Sequence, residues 1–279
     1  MPRRPRTLLP SLLSLVLLWT TSCSKGPTYP KAHVAESLQH VLLNDQLHAA
    51  VKLLDHTLAV ELAYPHALAQ ANSQLTFGPA FDAAGRKIIT AIRRVLLSSD
   101  ADVRFYVLLL SDPTIPGAYL TMVQYMDDVR RSHANMLPDT EMFFRTLFDF
   151  SLVPSNSPPL TVDQYVPRDI QLEEFLSWQL ARRIQRKLIE EFQLAGVANV
   201  GRCSGEFRNG EFAFALNVAP ASNRPLDDAM LRKIFQSSTT VVANVLSNYH
   251  FSSFDSVRLI YLPTGRNLVL PKDRLSLFR

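Results

Sequence analysis

FYVLLLSDPTIPGAYLTMVQY, residues 105–125, joins two apolar runs through a segment holding two prolines and a glycine. Each run has strand length and is rich in β-branched, aromatic and leucine residues. Ser111–Gly117 interrupts them with turn-forming chemistry, so the stretch predicts a hairpin. Just upstream, Phe81, Ile88, Ile92, Val95 and Leu96 recur at helical spacing. The order is therefore helix, strand, turn, strand.

The same order is legible three more times. Val34, Leu38, Val41 and Leu42 share a helix face, and LHAAVKLLDHTLAVELAY (47–64) alternates on either side of Asp55-His56. Near Arg168 a long helix begins, marked by Leu172, Phe175, Leu176, Ile184, Leu188 and Phe192. ANVGRCSGEF (198–207) and EFAFALNV (211–218) follow it, joined through Asn209-Gly210, a strong hairpin signal. The fourth set is the helix LDDAMLRKIFQSSTTVVANVLSNY (226–249), then SVRLIYL (256–262), Pro263-Thr264-Gly265 and NLVL (267–270). Letters echo too: Asp82, Arg86-Lys87-Ile88 and Val95 align at one constant offset with Asp228, Arg232-Lys233-Ile234 and Val241.

Four helix-plus-hairpin (αββ) units predict an α+β fold in which pairs of units build two small antiparallel sheets, each covered by helices. The expected division is a first αββαββ domain over residues 31–131 and a second over 168–274. Between them, residues 132–167 read as a connector. DTEMFFRTLFDF (139–150) predicts a helix, and four prolines between 154 and 167 mark an irregular linker. The rival layout is one continuous sheet of eight strands carrying four helices.

The first thirty residues differ in character. Arg3, Arg4 and Arg6 precede the apolar run LLPSLLSLVLLW (8–19), and Thr20, Thr21 and Ser22 follow it. A basic start, a short apolar run and small residues make a secretory signal peptide; a membrane helix needs roughly 20 apolar residues. Ser22, Cys23 and the polar Ser24-Lys25-Gly26 resemble the processing site of bacterial lipoproteins. Thr20 departs from that pattern, which usually places leucine or a similar aliphatic residue there. The resemblance covers only this N-terminal segment. It implies a signal peptide over 1–22, acylation of Cys23 as the mature N-terminus, and a tether over 23–30. Localisation would be the cell envelope, membrane-anchored and facing the periplasm, with Ser24 compatible with outer-membrane sorting. The alternative is cleavage nearby that releases a soluble protein. The second cysteine, Cys203, stands alone if Cys23 is acylated and is a potential disulfide partner if it is not.

Three of the 29 basic residues lie in the leader, leaving 26 cations against 25 acids. That balance gives no electrostatic footprint for a phosphate backbone, so nucleic acid is not an expected partner.

Catalytic and metal motifs are scarce. Tyr125-Met126-Asp127-Asp128 is identical to the tetrad that carries metal-binding aspartates in reverse transcriptases, where the acids hold two metal ions. No other feature of that family accompanies it, and Arg130 and Arg131 are ready charge partners for the two acids. The seven histidines, His33, His40, His48, His56, His66, His133 and His250, include no i, i+4 pair, although His33 and His40 are seven apart. No G-x-S-x-G or H-E-x-x-H occurs. The sequence therefore gives no catalytic residue, no metal site and no cofactor. Arg182, Arg183, Arg186 and Lys187 gather on the polar side of one helix as a candidate binding surface for acidic groups or a partner. The same residues would otherwise make a solvated helix face, with Glu190 supporting Arg186. Phe143, Phe144, Leu147 and Phe148 of the connector either pack between the domains or dock a partner.

The functional expectation is a lipid-anchored envelope protein acting as a non-enzymatic binding or scaffold component, partnered by the membrane and by an envelope protein. Two alternatives stand beside it. One is a periplasmic enzyme whose site gathers residues such as Asp127, Asp128, Asp227 and Asp228; the other is a carrier of a lipid or small ligand.

Overall fold

The computed structural model describes residues 28–71, 74–154, 158–221 and 226–278. The expected signal peptide, Cys23 and most of the tether lie outside the described residues.

The chain is mixed α+β. Helix α1 (Val34–Asn44) leads into the hairpin of β1 (Ala49–Leu53) and β2 (Thr57–Ala63). A smaller hairpin follows, β3 (Leu68–Ala71) with β4 (Gln74–Phe77), then helix α2 (Phe81–Leu97) and the hairpin of β5 (Phe105–Ser111) and β6 (Ala118–Tyr125). Two short helices, α3 (Met126–His133) and α4 (Asp139–Arg145), lead to strand β7 (Leu147–Leu152) and the single turn α5 (Val162–Tyr165). Helix α6 (Leu172–Leu188), prolonged by a wider π-helical turn over Ile189–Gln193, precedes β8 (Ala198–Val200), β9 (Ser204–Arg208), β10 (Glu211–Leu216) and β11 (Val218–Pro220). Helix α7 (Asp228–Asn248), the hairpin of β12 (Ser256–Tyr261) and β13 (Arg266–Pro271), and the turn α8 (Lys272–Leu275) complete the elements.

Two main sheets form, ordered β1-β2-β5-β6-β7 and β13-β12-β10-β9. The expected purely antiparallel sheets need correction. The hairpins are antiparallel, but β2 runs parallel to β5 and β10 runs parallel to β12. The cause is the helix between hairpins: α2 or α7 carries the chain back along the sheet, so the next strand starts at the same end. The strands outside these sheets pair as two small ribbons, β3 with β4 and β8 with β11.

The connector is the second correction. The helix ends at Arg145, Thr146 is extended (φ −79°, ψ 130°), and Leu147–Leu152 joins the first sheet beside β6. Phe148 and Phe150 alternate with Asp149, and that period of two prevails over the helical reading of the whole segment. Phe148 and Phe150 meet Phe77 of β4 edge-on, at ring separations of 5.5 and 5.1 Å.

Strands β2 and β5 are buried along nearly their whole length because both faces of the first sheet are covered. Leu58, Val60, Tyr106, Leu108 and Leu110 pack under α1 and α2. The alternate residues Ala59, Phe105 and Val107 join a second apolar cluster built by α6, α7 and the second sheet. Phe105 and Phe175 hold their rings 5.3 Å apart across this boundary. Helix α6 therefore carries apolar contacts toward both sheets. Its other side approaches β9 so closely that a Cβ on Gly205 would stand 2.4 Å from the Ser177 carbonyl oxygen.

Candidate functional site

Helix α6 begins with Glu173 and Glu174 and ends with Arg186 and Lys187, each charge suited to its end of the helix dipole. Its polar stripe faces α4 and β7, so the basic residues singled out in the sequence line one groove with the connector aromatics. Phe143, Phe144, Phe148, Val241 and Val245 supply its apolar wall, and Arg182, Arg183, Arg186 and Lys187 its cationic one; its volume is about 540 Å³. Of the four connector residues, Phe143 and Phe144 are exposed (53% and 36%), whereas Leu147 and Phe148 are half-buried, Leu147 against the apolar cluster of the second sheet and Phe148 against that of the first.

Each of the four cations has an acidic neighbour. Arg182 bonds Asp149 of β7, Arg183 reaches Glu141 at 2.9 Å, Arg186 reaches Glu190 at 2.8 Å and Lys187 reaches Glu191 at 2.8 Å. The Arg186 guanidinium also lies 3.9 Å from the centre of the Phe144 ring. Burial raises the Glu141 carboxyl, but hydrogen bonds from Arg145 and Arg183 outweigh that and hold it below the ordinary carboxylate range. The Lys187 ammonium is raised by its bond to Glu191.

A second cavity of about 300 Å³ continues the groove along α6, sharing Leu147, Phe148 and Arg182 with the first. Tyr165, Trp178, Arg202 and Cys203 line it. Arg202 approaches the same Asp149 oxygen as Arg182, at 3.4 Å. The Cys203 side chain is buried, which pushes its thiol above the ordinary range and away from nucleophilic use at neutral pH. Sequence reasoning missed Asp149, Tyr165, Trp178 and Arg202 as neighbours of the basic stripe. The proximity of Asp149 and Arg202 depends on β7 and on the loop before β9, and that of Tyr165 on α5, whose placements no local pattern announces; Trp178, four residues before Arg182 on α6, was legible from helical spacing.

Beneath the groove lies a buried polar network. Arg145 donates to Asp128 at 2.7 Å and to Glu141 at 2.9 Å, and its guanidinium lies 4.5 Å from the centre of the Tyr249 ring. Gln179 donates to the Arg145 carbonyl at 2.8 Å and to the Tyr249 hydroxyl at 2.9 Å. Its Oε1, also buried, accepts no hydrogen bond from a described residue. Asp128 and Arg145 are 3% and 4% exposed at their side chains, so each needs the other's charge.

The Tyr125–Asp128 tetrad accordingly divides. Asp127 turns outward to Arg130 at 2.7 Å and to the Tyr125 hydroxyl at 2.9 Å, while Asp128 turns inward to Arg145, not to Arg131. Asp227 caps α7 by accepting from the Met230 N–H at 2.7 Å, and Asp228 pairs with Arg266. These two sit one length of α7 from Asp128, about 30 Å at 1.5 Å per residue, so the four aspartates do not form one site. His33 bonds Glu36 at 3.1 Å and His40 approaches Asn44 at 3.4 Å. No cluster of three or more His, Cys, Asp or Glu side chains suited to a metal occurs among the described residues.

The loop Ser111–Gly117 is structural. Asp112 accepts from the backbone N–H groups of Leu68, Thr114 and His66 and from the Thr114 hydroxyl, at 2.6–3.2 Å. Burial pushes its carboxyl up, but these four donors outweigh it and hold it below the ordinary range. The result ties the β3–β4 ribbon to the β5–β6 turn.

No protein-family model matches the chain, and no curated protein sequence does.

Proposed function

We propose that this chain is an exported, lipid-anchored protein of the bacterial cell envelope that binds another envelope protein and does no chemistry of its own. Support for the anchor is the sequence around Cys23, with its basic start, short apolar run and small residues. No helix among the described residues is long and apolar enough to cross a membrane. We read the architecture as four αββ units in two pairs, residues 31–131 and 168–274 joined through 132–167. The shared antiparallel–parallel–antiparallel pairing of the two main sheets supports that reading.

The observation that carries the binding role is the groove at α6. Phe143 and Phe144 stand exposed (53% and 36%) beside four cations, on the open side of the groove. Exposed aromatic side chains next to arginine are the composition of contact surfaces. The test is photo-crosslinking in cells with a benzophenone amino acid at Phe144 and, as control, at Leu277 near the C-terminus. A discrete adduct with one envelope protein is expected at Phe144 only. The same adducts at both positions, or none at either, would refute the binding role.

A further inference from the structure

We propose that β7 is a docking edge, to which a partner protein adds an extended strand that alternates apolar and acidic residues. This rests on the binding role above and gives it a site and a chemistry.

The phase of β7 follows from one bond. The Val153 N–H donates to the Gly117 carbonyl at 2.8 Å, so residues two, four and six places earlier also point their backbone groups at β6. Phe148, Phe150 and Leu152 therefore point theirs outward. Among the described residues nothing pairs with those groups, and β7 ends its sheet. An open edge of this kind is a template for another strand.

The other edges differ in composition. Strand β9 carries the two charges Glu206 and Arg208, and β13 carries Arg266 and Pro271; charges and proline discourage pairing. LFDFSL of β7 holds one charge, Asp149, and no proline.

A strand laid along β7 would send alternate side chains to opposite faces. One set would lie over Phe150 and Leu152, which favours apolar residues. The other would enter the groove against α6, where Arg183, Arg186 and Lys187 each have a carboxylate partner but Arg182 and Arg202 share the single carboxylate of Asp149. That shortage of one carboxylate beside β7 selects an acidic residue. It also disfavours a second copy, because two-fold pairing of β7 with itself would bring both cationic grooves together on one face. Main-chain bonds would then supply affinity and the groove specificity.

The test uses the detergent-solubilised full chain and two fluorescein-labelled peptides, one alternating valine and glutamate, the other valine and lysine. Fluorescence anisotropy should show saturable binding of the glutamate peptide, at least tenfold tighter than the lysine peptide. Leu152→Pro removes an outward N–H that the fold itself does not use, and edge strands tolerate proline there. It should weaken binding at least tenfold, whereas Leu152→Ala should stay within twofold of the parent. Arg182→Glu, which needs no backbone change, should also weaken it at least tenfold. Equal binding of both peptides, no saturable binding, or full binding by Leu152→Pro would overturn the proposal. So would a dimer in sedimentation that Leu152→Pro dissociates, which would make the occupant a second copy. Failure of this test with a positive Phe144 crosslink would move the binding site elsewhere in the groove and leave the binding role standing.

Discussion

The Tyr249 hydroxyl donates to Asp128 Oδ2 at 2.6 Å, joining residues 121 positions apart in the chain. Asp128 opens the short helix after β6, and Tyr249 closes α7, so this one bond links the first sheet to the helix layer of the second. The Tyr249 phenol is raised well above its ordinary value, by burial first and then by the Asp128 charge. It therefore stays protonated and a donor.

Removing that donor tests how far the network holds the two sheets together. Tyr249→Phe leaves one oxygen of a buried carboxylate short of a partner and should cost about 1–3 kcal/mol. Arg145→Ala leaves the buried Asp128 charge unpaired and should cost about 3–5 kcal/mol. In urea unfolding the two changes should be strongly non-additive, since they remove partners of one carboxylate. Full additivity would show that the groups do not act as a unit.

Asp112 and Glu141 make stability depend on acid. Both carboxyls sit below their ordinary values of 3.8 and 4.5 in the folded chain, so the unfolded chain binds more protons in that range. Their contribution is fully present above those ordinary values and is lost as pH falls through the lower folded ones. The unfolding midpoint should drop steeply below about pH 4, and Asp112→Asn should flatten part of that slope while lowering stability at neutral pH. An unchanged slope in Asp112→Asn would show that this carboxyl is not depressed.

Gly117 places β7 against β6. Its φ is +79°, and an added Cβ would stand 2.0 Å from the Val153 carbonyl oxygen. Left-handed backbone alone costs a non-glycine residue about 1–2 kcal/mol, and the collision adds to it. Gly117→Ala should lower the melting temperature and raise amide exchange across Leu147–Val153 more than in β2. Unaltered exchange there would mean that the strand is held by its side chains alone.

The sequence carried the helix faces and the turns well. Val34, Leu38 and Leu42 are buried as their spacing requires, and Asn209 and Gly210 adopt the positive φ values, 50° and 77°, of a tight hairpin turn. It also carried the basic stripe of α6, because charge on a helix face is local information. What it hid is non-local. That Ala59, Phe105 and Val107 face another helix layer depends on packing between residues more than a hundred positions apart in some pairs, and a continuous apolar run does not name the neighbour on either face. The β3–β4 ribbon was equally hidden, since LAQA and QLTF are short and weakly patterned. Asp149 meets Arg182 only because β7 is a strand, and the apolar DTEMFFRTLFDF reads as well for one helix.

The intact mass of the membrane-purified chain, compared with a Cys23→Ala variant, tests the anchored character of the protein most directly. A chain that starts at residue 23 and carries the added mass of acyl groups is expected, with both mass and membrane retention lost in the variant. An unmodified chain cut elsewhere, recovered in the soluble fraction with or without Cys23, would contradict it.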